Sequence, residues 1–361
     1  MKRITVSLLI LFVTGMLRAQ PSSFAITAYY AGPAEWLDSF SLDKVTHLIY
    51  SFGHLQGNRL HISNATDTAR LRKMVALKSK YPGLRIILSL GGWGGCSTCS
   101  PVFATARGRK EFARSVRALT KYFHTDGIDL DWEYPGIAGY PGHPYAAADK
   151  QHFTRLIYAL RKTLGKKYEI SFAAGGFDQF IDSSVQWRKV MRRADKVYIM
   201  SYDLVHGYST VTGHHTPLYS TPQQELSADH AVNRLLQSGI APGKIVIGAA
   251  FYARMFLTMD TLHAGLYRPG SFYHGLSYSR LADTLTAANG FMLYRDTLAK
   301  APYAFHPGRK VFVTWDDSLS VAAKTEYAVR HHLGGIMFWQ LAEDKFRNGL
   351  LDAIRQSRRK P

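Results

Sequence analysis

Three of the four carboxylates in the segment Asp126-Gly-Ile-Asp-Leu-Asp-Trp-Glu133 stand at alternate positions, 129, 131 and 133. In a β-strand, residues two apart point to the same face, so Asp129, Asp131 and Glu133 share one face and the apolar residues between them take the other. Burial disfavours the charged form of a carboxylate, and neighbouring like charges raise one another's pKa. A solvated edge strand is the alternative, but the apolar opposite face argues against it. The spacing therefore indicates acid–base catalysis.

Glu133 is the outermost of the three carboxylates and is expected to lie nearest to a cleft. A proton shared by Asp129 and Asp131 beneath it would leave Glu133 able to act as an acid near neutral pH. Same-face neighbours on a strand lie roughly 6.6 Å apart at Cα, from a rise of about 3.3 Å per residue. In a glycosidase this spacing leaves no room for a water between the carboxyls, and it favours retention of configuration.

The elements that would hold this strand repeat along the chain. Eight β-rich apolar runs are separated by amphipathic stretches, such as 109–122 and 150–164, with apolar residues three and four apart. Eight strand–helix units predict a closed (β/α)₈ TIM barrel of the α/β class. An open doubly wound sheet is the alternative, but the first run lacks the glycine-rich loop usual there. The runs are 25–30, 45–52, 85–90, 127–133, 169–174, 196–202, 244–251 and 335–339.

One connection of the predicted barrel is much longer than the others. Successive runs begin 20 to 48 residues apart, but 91 residues separate the last two starts. We predict that residues 255–311 form a small α+β insertion after the seventh strand, on the C-terminal rim of the barrel. The predicted domains are a signal peptide over 1–20 and a catalytic barrel over 21–361 that contains this insertion.

The N-terminus and the charge indicate where the protein acts. Residues 1–20 join basic Lys2 and Arg3 to an apolar core of about ten residues, which is typical of a signal peptide and too short for a membrane span. We therefore expect a secreted, periplasmic or cell-surface protein, and a monomer. The net charge is +19, but the basic residues are spread along the sequence and no nucleic-acid motif is present, so no nucleic acid partner is expected.

The two cysteines, Cys96 and Cys99, are separated by two residues in GGCSTCS. In the cytosol this spacing would indicate a redox or zinc pair, but a zinc site needs about four ligands and no second cysteine pair exists. Outside the cytoplasm a small disulfide that closes the loop is the better interpretation. The adjacent histidines His214 and His215 point apart on one element and make a poor chelate, so no metal site is predicted.

The sequence resembles a known family. Asp126–Glu133 matches the DxxDxDxE signature of family 18 glycoside hydrolases, which include chitinases. Four more segments resemble family motifs in family order, and the likeness covers nearly all of the mature chain. They are Ser89-Leu-Gly-Gly-Trp93 at the third strand, Met200-Ser-Tyr-Asp203 at the sixth, Phe251-Tyr-Ala-Arg254 at the seventh and Met337-Phe-Trp339 at the eighth. The insertion resembles the α+β insertion of one bacterial-type chitinase subgroup.

The resemblance implies a substrate-assisted retaining mechanism without a metal or organic cofactor. Glu133 would protonate the glycosidic oxygen and later activate water, while the substrate's own 2-acetamido carbonyl closes an oxazolinium ring on C1. Asp131 would orient the acetamido N–H and stabilise the developing positive charge, and Asp129 would exchange a proton with Asp131. Tyr202 would donate a hydrogen bond to the acetamido carbonyl oxygen.

Further residues are candidates to bind the sugar chain. Trp339 is similar to the family's tryptophan under the −1 sugar, where a flat indole can stack on a pyranose ring. Trp93 would form a +1 platform and Trp36 would line a distant minus subsite, with ordinary packing as the alternative for all three tryptophans. The remaining candidates are Asp203 and Arg254, which bind sugar hydroxyls or else pair with each other, and Tyr252 and Tyr134 close to the −1 sugar.

Three functions compete. The leading one is endo-type cleavage of β-1,4-linked N-acetylglucosamine polymers, with chitin or chitooligosaccharides as substrate. The second is an endo-β-N-acetylglucosaminidase acting on N-glycans, and Tyr202, Trp93 and Trp339 argue for the chitinase instead. The third is a lectin that kept the barrel and lost the chemistry, which the presence of Glu133 and Asp131 argues against.

Overall fold

Eight parallel strands close into a barrel in the computed structural model, which describes residues 24–358. The barrel order is β1-β2-β4-β5-β6-β7-β8-β14, and β14 pairs with β1 to close the ring. The predicted (β/α)₈ fold is therefore confirmed, whereas the predicted signal peptide lies outside the described residues. The strands are β1 (Ala25–Tyr30), β2 (His47–Gln56), β3 (Arg59–His61), β4 (Arg85–Gly91), β5 (Gly127–Asp131), β6 (Glu169–Gly175), β7 (Lys196–Met200), β8 (Ile245–Ala250), β9 (Tyr252–Thr258), β10 (Gly270–Ser277), β11 (Met292–Asp296), β12 (Ala301–His306), β13 (Val311–Thr314) and β14 (Gly335–Trp339).

Helices cover the outside of the barrel, and α3 shows why they form. Thr105 precedes it and accepts a hydrogen bond from Gly108 N at 2.9 Å, a side-chain cap for the free amides of the first turn. Phe112 and Val116, four residues apart, are buried against the barrel. The helices are α1 (Ala65–Ala76), α2 (Cys99–Ala104), α3 (Ala106–Phe123), α4 (Asp149–Leu164), α5 (Asp178–Ser183), α6 (Trp187–Met191), α7 (Ala228–Gln237), α8 (Tyr278–Thr284), α9 (Ser318–Arg330) and α10 (Leu350–Arg358).

Alternation along the strands separates two layers of core. Ile128 and Leu130 of β5 pack outward with the helices. Tyr29, Ile49 and Tyr198 belong to a separate inner cluster that fills the barrel. Asp129 lies between Ile128 and Leu130 and therefore points into the barrel, as the period of two requires.

The insertion after β8 is built on a second, antiparallel sheet of five strands in the order β10-β9-β13-β12-β11. Its own apolar cluster includes Met255, Leu281 from α8 and Phe291. The sheet spans 252–314, and Phe251, between β8 and β9, donates its N–H to Trp339 O at 2.8 Å. The predicted α+β insertion after the seventh barrel strand is confirmed as part of the fold, while the domain limits at 255 and 311 stay a prediction.

A buried ionic cluster closes the N-terminal end of the barrel. Glu169, the first residue of β6, is 3% exposed and bonds to His47 at 3.2 Å, Arg85 at 2.7 Å and Lys196 at 2.9 Å. These charges lie at the opposite end of the strands from Asp131 and Trp339. Within residues 24–358, no helix is long and apolar enough to cross a bilayer.

Candidate active site

Asp129 is the inner anchor of the carboxylate group. Its Oδ2 accepts hydrogen bonds from Tyr29 Oη at 2.9 Å and Ser89 Oγ at 2.8 Å, and its Oδ1 accepts one from Ser171 Oγ at 2.8 Å. Complete burial raises the pKa of Asp129 to about 6, although the three hydroxyl donors act in the opposite direction. Strands β1, β4 and β6 thus fix this carboxyl from three sides and leave it able to gain or lose a proton near neutral pH.

Asp131, the last residue of β5, is buried at 4% exposure, and its Oδ1 has no hydrogen-bond partner among residues 24–358. Burial, followed by the charges of Glu133 and Asp129, raises the pKa of Asp131 well above its usual range. A buried acceptor without a partner is costly in a finished core. Asp131 is therefore a carboxyl prepared for a ligand atom.

Glu133 lies beyond the end of its strand. β5 ends at Asp131, so the predicted strand through 133 is two residues too long, and Glu133 stands in the loop at the mouth of the barrel. Burial raises the pKa of Glu133 to about 7, and the charge of Asp203 raises it too, while a hydrogen bond with Tyr134 lowers it. Near pH 7 this carboxyl can therefore both donate and accept a proton.

Tyr202 also follows the end of its strand, because β7 ends at Met200 rather than at 202 as predicted. Its hydroxyl donates to Met337 Sδ at 3.8 Å, a weak acceptor that a ligand oxygen can replace. Burial and the charges of Asp131 and Glu133 raise the pKa of Tyr202 well above its usual range. Tyr202 is therefore a permanent hydrogen-bond donor beside the carboxylates.

Asp203 and Arg254 form a bidentate pair, with Nε–Oδ1 at 2.7 Å and Nη2–Oδ2 at 2.6 Å. His215 Nδ1 lies 3.5 Å from the same Oδ1. Burial acts to raise the pKa of Asp203, but His215 and Arg254 outweigh it and hold this pKa well below its usual range. Of the two predicted roles, the ion pair is the one present in the structure, and it holds a fixed negative charge close to Glu133.

The predicted sugar-binding aromatics fall into two groups. Trp339 is half-buried at the end of β14, parallel to Phe52 at 5.5 Å and close to Tyr29 at 5.9 Å, in the inner cluster that also contacts Tyr202. Tyr252 is 8% exposed and lies under the Arg254 guanidinium at 5.3 Å. Trp339 and Tyr252 thus border the carboxylates.

Trp93 and Trp36 lie further out on the rim and are 48% and 41% exposed. Trp93 contacts the edge of Tyr140 at 5.6 Å and Tyr134 at 6.4 Å. Trp36 contacts the edge of the Phe346 ring at 5.9 Å. Both indoles offer surface to a long ligand.

Tyr134 joins the site to the barrel wall. It packs edge-on against Phe177 at 5.4 Å and Phe180 at 5.5 Å, and it hydrogen-bonds Glu133. Of the predicted residues, it is therefore the one that positions the acid directly. Its side chain is half-buried, so the remaining surface can contact a ligand.

The loop after β4 approaches the carboxylates very closely. A Cβ on Gly91 would stand 2.1 Å from Asp131 O, and the φ of Gly91 is +110°, so only glycine fits there. Beyond it, Cys96 and Cys99 are joined as a disulfide with Cα atoms 5.2 Å apart. The bond closes a short turn that begins three residues after Trp93.

The sequence did not single out several residues that support the site. Ser171 holds Asp129, and it lies on an inward-facing strand position that alternation could have identified. Glu343 follows β14. Burial raises its pKa to about 7, although hydrogen bonds from Gln340 and Ser277 act to lower it. No local pattern marks Glu343, because one of its two partners, Ser277, lies 66 residues away in sequence.

The described residues hold no group of three or more histidine, cysteine or carboxylate side chains suited to a metal ion. The adjacent histidines diverge, with His214 Nε2 3.1 Å from Asp296 and His215 beside Asp203. The site combines a carboxylic acid that titrates near neutral pH, a buried carboxyl with an unpartnered oxygen and a phenol donor.

Comparison with known proteins identifies the family. The model of the family described as Glycosyl hydrolases family 18 matches residues 25–344. The chain belongs to this family. The resemblance noted in the sequence is thereby confirmed. In this structure the DxxDxDxE segment runs along β5, so that Asp131 and Glu133 stand at the C-terminal end of the strand, where TIM-barrel sites lie.

The relatives include proteins named as chitinases. Chitinase A1 of Niallia circulans is 27% identical over 90% of this chain, and chitotriosidase-1 of Mus musculus is 29% identical over 84%. The chain spans 57% of the length of the first and 68% of the second. A solved family 18 N-acetylglucosaminidase from Paenibacillus barengoltzii is 34% identical, covers 92% of this chain and 99% of its own, and superposes with a TM-score of 0.85.

Proposed function

We propose that this family 18 protein is a chitinase that hydrolyses β-1,4-linked N-acetylglucosamine chains with retention of configuration. One observation carries the proposal: a carboxyl with a pKa of about 7, Glu133, follows a buried carboxyl, Asp131, whose Oδ1 lacks a partner. An acid for the leaving group and an acceptor for an acetamido N–H are the two groups that substrate-assisted hydrolysis needs. The chitinases among the relatives support the substrate class.

In the first step, Glu133 donates its proton to the glycosidic oxygen as the bond from C1 to that oxygen breaks. The acetamido carbonyl oxygen of the −1 sugar attacks C1 and forms an oxazolinium ring. Asp131 Oδ1 accepts the acetamido N–H, and its own proton moves toward Asp129, so that a negative charge faces the developing positive charge. The Tyr202 hydroxyl donates to the acetamido oxygen and orients it for attack.

In the second step, the ionised Glu133 takes a proton from a water that attacks C1 from the side of the departed sugar. The ring opens, the acetamido group is restored, and Glu133 is again protonated. Two inversions at C1 give net retention. Trp339 supports the −1 sugar, and Trp93 supports the sugar on the leaving side. Residues 1–20 favour export to the cell surface or beyond.

The Paenibacillus barengoltzii relative favours a second candidate, release of single N-acetylglucosamine units from chain ends. Both candidates use the same acid and the same acetamido nucleophile. They differ in where the bound chain is cut, and therefore in the first products of a long oligomer.

The test is mass spectrometry of products from N-acetylglucosamine pentamer and, separately, a high-mannose glycoprotein, with Glu133→Gln as control. Dimer and trimer as first products, absent with the control, would support the endo-acting chitinase, and monomer with tetramer would support the second candidate. Intact glycans released while the pentamer stays whole would overturn both in favour of an endo-β-N-acetylglucosaminidase. Binding without any product would indicate a lectin.

A further inference from the structure

Three neighbouring helices on one flank of the barrel carry a strong excess of positive charge. α3, α4 and α6 together contain twelve Lys and Arg residues and two acidic residues, Glu111 and Asp149. Neither acid neutralises the remaining bases of these helices. Glu111 already pairs with Arg107 at 2.8 Å, and Asp149 is buried and accepts a hydrogen bond from Ala146 N at 2.8 Å. The bases are dispersed in the sequence, and the fold collects them.

A groove of about 490 Å³ lies where these helices meet. Lys110 of α3, Arg155 of α4 and Lys189 of α6 line it and are exposed, and no carboxylate lines it. Within residues 24–358, no ion pair joins any of the three to an acidic side chain. The groove thus presents three uncompensated cations from three different helices.

Two more residues shape the groove. Arg109 is 8% exposed, and its Nη1 donates to the carbonyls of Phe103 at 2.5 Å and Ala104 at 2.9 Å, so its charge meets only neutral oxygens. Burial and then the nearby charge of Arg155 lower the pKa of Arg109. Tyr158 lines the groove at 38% exposure, with the Arg193 guanidinium over its ring at 5.3 Å. Like charges held this close favour an anionic ligand.

We propose that this groove binds an acidic polysaccharide, a chain of sugars that bear sulfate or carboxylate groups. Arg155, Lys110 and Lys189 would pair with the anionic groups, and the exposed part of Tyr158 would contact a sugar ring. The site is separate from the catalytic carboxylates, because none of these side chains contacts them.

Two other kinds of anionic partner, a lipid bilayer and a single nucleic acid strand, fit the groove less well. A bilayer contacts protruding apolar side chains, whereas Tyr158 is the one large exposed aromatic side chain here and the other long exposed side chains that line the site are cationic. A single nucleic acid strand is held by successive aromatic platforms, and this groove offers one aromatic ring. Repeated anionic groups on sugars match three separated cations and a single ring.

The test measures heparin binding by the full-length protein, with the variant Lys110→Glu, Arg155→Glu, Lys189→Glu. The matched control makes the same change of charge on the insertion, at exposed Arg280, Lys300 and Arg309. We expect the groove variant to bind heparin at least tenfold more weakly at physiological salt, and wild-type binding to weaken as salt rises. We expect both variants to keep the wild-type thermal unfolding midpoint.

An equal loss in both variants would overturn the proposal, because net charge alone would then explain binding. Phosphatidylglycerol vesicles and a single-stranded DNA oligonucleotide are compared in the same assay. Binding of either probe as tight as that of heparin, and lost in the groove variant, would reject an acidic glycan as the specific ligand. If the groove variant unfolds at a lower temperature than the wild type, the double variant Arg155→Gln, Lys189→Gln is used instead. Its heparin binding is compared with that of the wild type and the insertion control in the same way. The assay needs no hydrolysis, so its failure is distinct from failure of the proposed enzymatic function.

Discussion

Replacing Asp203 by Asn should move the alkaline limb of the kcat/KM profile to lower pH. Burial and the charge of Asp203 raise the pKa of Glu133 to about 7, and only protonated Glu133 can protonate the leaving oxygen. The substitution removes that negative charge and leaves the Arg254 guanidinium without its bidentate partner. Both changes favour the ionised form of Glu133, so both lower its pKa.

The size of the displacement follows from the contributions to this pKa. The rise from 4.5 to about 7 corresponds to about 3 kcal/mol in favour of the neutral carboxylic acid. Burial is the largest cause and persists in the variant, so Asp203 supplies only a part. As an order of magnitude, a unit charge about 10 Å from a carboxyl contributes about 1.7 kcal/mol at an effective dielectric constant of about 20, a little over one pH unit. The limb near pH 7 should therefore move to about pH 6.

The assay is the initial rate on a soluble chitooligosaccharide far below KM, from acid to alkaline pH. Asp260→Asn is the matched control, because Asp260 and Arg268 form the same bidentate pair in the insertion, away from Glu133. A lower rate at every pH is expected for Asp203→Asn if the pair also contacts substrate, but it would not move the limb. An unmoved limb, or an equal displacement in Asp260→Asn, would refute the assignment of Glu133 as the acid.

Three further predictions concern single side chains. Tyr202→Phe should lower kcat by about 10²-fold, because the donor to the acetamido oxygen is lost, and unchanged kcat in steady-state kinetics would contradict that role. Trp339→Ala should raise KM about tenfold through lost stacking, to be compared with Trp187→Ala, a buried tryptophan outside the site whose loss should act on stability instead. Glu169→Gln should lower the free energy of unfolding by about 3–5 kcal/mol, measured by denaturant titration, without changing KM. Burial opposes ionisation of Glu169, but His47, Lys196 and Arg85 hold its pKa below the ordinary 4.5, so this stabilisation is present above pH 4.5 and is lost as the pH falls below it.

The central part of the site was predictable because it depends on a local period. Asp129 and Asp131 are two residues apart on β5, and the period of two places them on the inner face whatever surrounds the strand. The eight repeating units then determine which end of the strand carries the site. Family motifs added Tyr202 and Trp339, which the carboxylate spacing alone does not identify.

The ends of the strands were predicted less well. Glu133 and Tyr202 were assigned to strands, but β5 and β7 end two residues earlier, and both side chains stand in loops. Apolar alternation continues past the last ladder hydrogen bond, so the pattern does not record where pairing stops. Their chemical environments follow from Tyr134 and Asp203, not from the alternation.

What the sequence could not supply are contacts made by closure of the barrel. Gln340 Oε1, just beyond the last strand of the ring, accepts from Ala31 N across 309 residues. No period relates such positions, because β1 and β14 become neighbours only when the ring closes.

The basic groove is also formed by residues that only the fold brings together. Lys110, Arg155 and Lys189 look dispersed in the sequence because each lies on a different helix, yet successive helices of a barrel stand side by side. A charge pattern spaced by one strand–helix unit is therefore a surface feature of this fold. It can be read from a sequence only after the repeat has been recognised, and this is why the even distribution of bases along the chain did not exclude a polyanion site.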